Sequence, residues 1–70
     1  MNQSPKHLIK LMEARGWVLK RVKGSHRIYY HPERKETMPI PVHGSKDLGK
    51  GLLLSIIKKI DISIDELSAK

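Results

Sequence analysis

The chain predicts an α+β two-layer sandwich of order α-β-β-β-α, with a three-stranded antiparallel sheet. Three observations carry that reading. A helical repeat of apolar residues opens the chain, three short β-rich runs follow with turn signals between them, and a second helical repeat closes it. Seventy residues make one small domain, and a chain of that size buries only about 60% of the surface its unfolded form exposes.

The first helix is expected over residues 4–15. Ser4 suits the N-cap, Pro5 the first helical position, and Leu8, Leu11 and Met12 form the apolar stripe. Gly16 stops it by taking φ > 0. Residues 17–23 read as a strand that begins on Trp17, a core residue. Gly24-Ser25 is a turn, and 26–31 is a second strand, so the two form a hairpin. Within the second strand His26, Ile28 and Tyr30 share one face and Arg27, Tyr29 and His31 the other. Tyr29 is expected under the helices and His26 facing outward.

Residues 31–35 form the next turn, and 36–42 a third strand. Met38, Ile40 and Val42 alternate inward there, while Pro39 and Pro41 mark an edge. Asp47 is expected to cap a second helix over 48–60, with Leu48, Leu52, Ile56 and Ile60 in step and Leu53 and Ile57 beside them. Ser63 and Glu66 make a capping-box pattern, which allows a short third helix over 64–69. The whole is read as one domain, 1–70, with its core at about 4–60 and an acidic extension at 61–70.

Charge bounds the function. Fourteen Lys/Arg face seven Asp/Glu, a net charge of +7 and a pI near 10.0. Thirteen of the basic residues lie in the first sixty positions, and the last ten residues are net acidic. Such a body calls for an anionic partner, nucleic acid or acidic protein. No apolar run spans a bilayer and no signal segment opens the chain, so a cytoplasmic protein without membrane contact is expected. With no cysteine, neither a disulfide nor a thiolate-bound metal is available. His7, His31 and His43 fall into no HExxH or similar ligand spacing, so neither a metal site nor a cofactor is expected.

The segment Lys23-Gly24-Ser25-His26-Arg27 concentrates the chemistry. Histidine is the side chain that takes and gives protons near neutral pH, and here it enters a strand between two cations. Such a histidine, on rigid structure in a positive field, suits acid/base chemistry on a phosphodiester. Arg21, Lys23, Gly24, Ser25 and Arg27 surround His26 as candidate RNA-binding residues. Lys46 and Lys50 bracket the start of the second helix, where free N–H groups also favour an anion. His43 is the candidate second acid/base group.

Three segments resemble the HicA toxins. They are Leu8-Ile9-Lys10-Leu11-Met12-Glu13-Ala14-Arg15-Gly16-Trp17, then Val22-Lys23-Gly24-Ser25-His26 with His31-Pro32, and Pro41-Val42-His43 leading into Lys46-Asp47-Leu48. The resemblance spans residues 4–60. It implies a double-stranded-RNA-binding-like fold, a toxin that cleaves mRNA as an endoribonuclease, and a HicB antitoxin that holds it inactive. It also implies that His26, in the Gly-Ser-His motif, is the catalytic residue, and the expected antitoxin is acidic and covers it. Two other readings share the charge and the fold: a non-catalytic RNA-binding module, and a basic adaptor that meets an acidic protein.

Overall fold

A computed structural model describes residues 2–44 and 46–68. The elements are α1 (Pro5–Ala14), β1 (Val18–Lys23), β2 (His26–His31), β3 (Glu36–Pro41), α2 (Lys50–Lys59) and α3 (Ile64–Ser68). The three strands form one antiparallel sheet in the order β1-β2-β3, so the α-β-β-β-α expectation holds and a short third helix follows. The last residue expected in that helix, Ala69, lies outside the described residues.

Both longer helices end the same way. At α1, the Trp17 N–H reaches the Met12 carbonyl and the Gly16 N–H the Glu13 carbonyl, with Gly16 at φ +97°. This is a Schellman motif, and Trp17 and Met12 bury the apolar contact that goes with it. At α2, Ile62 N–H reaches the Ile57 carbonyl around Asp61 at φ +58°. Asp is one of the few side chains that tolerates the left-handed region.

The start of each helix corrects the sequence reading. Ser4 is the N-cap of α1 and Pro5 opens the helix, but the Ser4 side chain makes no capping hydrogen bond. Asp47 does not cap α2; Gly49 does. Leu48 is held in non-helical backbone because its N–H donates to the Gln3 carbonyl (2.8 Å) and its own carbonyl accepts the Gln3 side-chain amide (2.8 Å). The helix therefore begins two residues later than expected, with glycine at a cap position it suits.

The core comprises Leu8, Ile9 and Met12 of α1, Trp17 just before β1, Tyr29 and Ile40 of the sheet, Leu53, Ile56, Ile57 and Ile60 at α2, and Leu48, Ile62 and Leu67. Leu52, expected in the stripe of α2, is 47% exposed, because a four-residue repeat drifts about 40° per step around a helix of about 3.6 residues per turn, so the buried stripe centres on Leu53, Ile56, Ile57 and Ile60 and leaves Leu52 on its flank. Leu11 is only half-buried, and Ile9 takes a place in the stripe beside Leu8 and Met12.

The acidic tail is part of this fold. Ile62 and Leu67 are buried, His7 Nε2 donates to the Leu67 carbonyl (3.1 Å), and Arg15 pairs with Glu66. Glu66 also closes the capping box by accepting the Ser63 N–H (2.8 Å). Leu67→Ala is expected to cost about 2 kcal/mol, near the low end for a buried leucine because a terminal helix can settle into the gap. Urea denaturation of the two proteins reads that difference.

Candidate functional site

The hairpin that carries His26 is as tight as a hairpin gets. Lys23 pairs with His26, leaving only Gly24 and Ser25 between the strands. Gly24 takes φ +59° at the first turn position and Ser25 has no positive φ, the pattern of a type II′ turn, which matches the twist of the flanking strands. A Cβ on Gly24 would meet nothing within 4 Å, so only the backbone demands glycine. Gly24→Ala is expected to cost about 1–2 kcal/mol. In a domain this size that lowers the melting temperature by roughly 10 °C, read by circular dichroism.

Register decides which residues share a face. Tyr29 is 1% exposed beneath the helices, and His26, Ile28 and Tyr30 alternate onto the opposite, open face. His26 is exposed there, as the sequence predicts. On β1, Lys23 stands opposite His26 and Arg21 opposite Ile28. On β3, Pro41 stands opposite His26 and Pro39 opposite Ile28. A register shift between Leu19 and Arg21 makes room for Lys20, whose ammonium lies 5.4 Å from the Tyr30 ring centroid. The bulge thereby puts two consecutive cations, Lys20 and Arg21, on the face of His26. None of the strand residues on this face is acidic, and no enclosed pocket is present among the described residues.

The other expected residues fall in three places. Ser25 continues the ladder, its carbonyl accepting the Val42 N–H (2.7 Å). His43 follows Val42 just past the end of β3 and is exposed. Lys46 and Lys50 are exposed at the approach to α2, whose first turn has no side-chain cap. Arg27 is not brought together with His26: it pairs with Val22 and Ile40 on the helix-side face and is half-buried.

Both sheet edges are protected. Proline removes donors from β3, and Lys20, Arg21 and Lys23 line β1, whose Val18, Leu19 and Val22 are about half exposed.

The sequence reading missed a brace built on His31. Its Nε2 donates to the Arg15 carbonyl (2.8 Å), its Nδ1 accepts the Arg34 N–H (3.2 Å), and its ring stands edge-on to Trp17. The Arg34 guanidinium lies 5.8 Å from the Trp17 ring centroid and bonds Glu36, Asp61 and the Lys59 carbonyl. The Glu36 hydrogen bond, with help from Asp61, raises the Arg34 pKa above its ordinary value, so this cation stays charged. The brace ties the β2–β3 turn to the ends of α1 and α2. His31 thus has a structural task, and its link to Arg34 spans three residues in a turn, too irregular a spacing to read as a motif.

A protein-family comparison decides the relationship. The model described as the HicA toxin of bacterial toxin-antitoxin systems matches residues 5–62. The chain belongs to the HicA toxin family. No curated protein matches it. The match takes in α1, the whole sheet and α2, and ends on Ile62, the residue that closes the Schellman turn of α2. As a HicA-family protein the chain is a toxin of a toxin–antitoxin system, and membership implies an antitoxin partner. Among the described residues no helix is long and apolar enough to cross a membrane. Nor do three or more His, Asp or Glu side chains gather there to hold a metal ion.

Proposed function

We propose that this HicA-family toxin is a metal-independent endoribonuclease that cleaves mRNA with His26. The observation that carries the reading is the exposed His26, held by a two-residue turn on a face whose charged strand residues are all basic. In the reaction the ribose 2′-oxygen attacks the adjacent phosphorus and the bond from phosphorus to the 5′-oxygen breaks. The 2′-OH proton goes to a base, the 5′-oxygen receives a proton, and a 2′,3′-cyclic phosphate remains. His26 serves one of these transfers and His43, exposed two residues past the end of β3, is the candidate for the other. Lys23 and Arg21 sit where they stabilise charge on the phosphate. Lys46 and Lys50 add positive charge beside the uncapped start of α2. Gly24 and Ser25 keep the approach to His26 narrow and free of bulk.

The antitoxin in this reading is a HicB-like acidic protein that covers His26. Complementary charge gives such a pair fast, salt-sensitive association and excludes RNA from the same face.

Cleavage of a labelled oligoribonucleotide in EDTA tests the reading. The expected result is cleavage that is blocked by a 2′-deoxy sugar at the cut position. Binding without cleavage, weakening steeply with added salt, would instead identify a non-catalytic RNA-binding module. No RNA affinity at low salt would leave the adaptor reading.

A further inference from the structure

We propose that the open face of the sheet is a track for one unpaired RNA strand, and that Tyr30 stacks a base of that strand away from the bond at His26. This rests on the ribonuclease reading above and specifies its substrate as single-stranded. The central strand β2 presents His26, Ile28 and Tyr30 in a row. At the usual strand rise, Tyr30 lies about 13 Å along the row from His26. That is beyond one nucleotide, so the base at Tyr30 belongs to a neighbour of the cleaved linkage.

Each position of the row has its own cation on the same side. Lys23 stands opposite His26, Arg21 opposite Ile28, and the Lys20 ammonium lies 5.4 Å from the Tyr30 ring centroid. The other side is uncharged, formed by Pro41, Pro39 and Thr37. A cationic rail beside an apolar strip matches a strand whose phosphates run along β1 and whose bases turn over β2 and β3. A duplex would not use the strip, because its bases are stacked inside and it offers phosphates and sugars instead. The bulge completes the rail by bringing Lys20 onto the face that Arg21 and Lys23 already share by simple alternation.

The test compares Tyr30→Leu and Tyr30→Trp with the parent chain. Leucine keeps apolar bulk at this half-buried position, so folding is retained. Cleavage of a labelled oligoribonucleotide is expected to show KM raised about tenfold in Tyr30→Leu, with kcat within twofold and KM restored in Tyr30→Trp. Oligonucleotides shortened until they no longer reach Tyr30 are expected to lose the same factor with the parent and nothing further with Tyr30→Leu.

Anisotropy of the same oligonucleotide on His26→Ala, with and without Tyr30→Leu, measures the stacking without cleavage. If His26→Ala cleaves as fast as the parent chain, the assignment of catalysis to His26 falls, while the affinity ratio continues to test Tyr30. Equal KM and equal affinity with and without the ring would overturn the proposal. So would duplex RNA binding as tightly as the single strand.

Discussion

His26→Ala is expected to lose RNA cleavage by about 10²–10⁴-fold, the contribution of a positioned acid/base group. The fold should be unaffected. His26 is exposed, and no described residue hydrogen-bonds its ring, in contrast to His7 and His31. Removing it leaves no buried group unpaired, so stability should change by no more than about 0.5 kcal/mol. RNA affinity should change little, because Lys20, Arg21 and Lys23 remain. His26→Gln should be as inactive as alanine, since an amide hydrogen-bonds but does not exchange protons near neutral pH. Rates in EDTA, melting curves and anisotropy on the three proteins separate these effects.

Gly16→Ala is expected to destabilise the domain by about 3 kcal/mol, combining left-handed strain with a broken hydrogen bond. Gly16 has φ +97°, and a Cβ there would lie 3.0 Å from His31 Nε2, the atom that donates to the Arg15 carbonyl. The new methyl group requires the ring to give by a few tenths of an ångström. His31 is held from its other nitrogen by Arg34 and packs edge-on against Trp17, which is 2% exposed. Moving the ring would disturb the joint between α1, the β2–β3 turn and α2. For a 70-residue chain the melting temperature should fall by roughly 15 °C. His31→Ala in the same background tests the cause. It removes the clash but not the strain, so the alanine at position 16 should then cost only about 1–2 kcal/mol.

Local chemistry made much of the fold legible. Pro5 and Gly16 mark the limits of α1, Gly24-Ser25 sets the hairpin, and Pro39 and Pro41 mark the edge strand, each through a backbone restriction that acts within a few residues. The facing of β2 was legible for the same reason: Tyr29 and His26 differ by an odd number of positions, and only one of them suits a core. What escaped depends on distant partners. Asp47 looked like a cap because nothing nearby reveals that Gln3 holds Leu48 out of the helix. The acidic tail looked separable because Arg15 and His7, which hold it, lie about fifty and sixty residues before their partners.

The candidate site divides along the same line. His26, Gly24 and Ser25 stand together in the sequence and the turn keeps them together. The alignment of Lys20, Arg21 and Lys23 required a bulge that the residue pattern does not announce, and Arg27, adjacent to His26 in sequence, is carried to the other face by simple alternation.

The most direct measurement is the mass of the 5′ fragment that the parent protein releases from a defined RNA in EDTA. Attack by the 2′-oxygen predicts a fragment ending in a 2′,3′-cyclic phosphate, with a free 5′-hydroxyl on its partner. A 3′-hydroxyl on the first fragment and a 5′-phosphate on the second would mean that water was the nucleophile, and would contradict the account of His26.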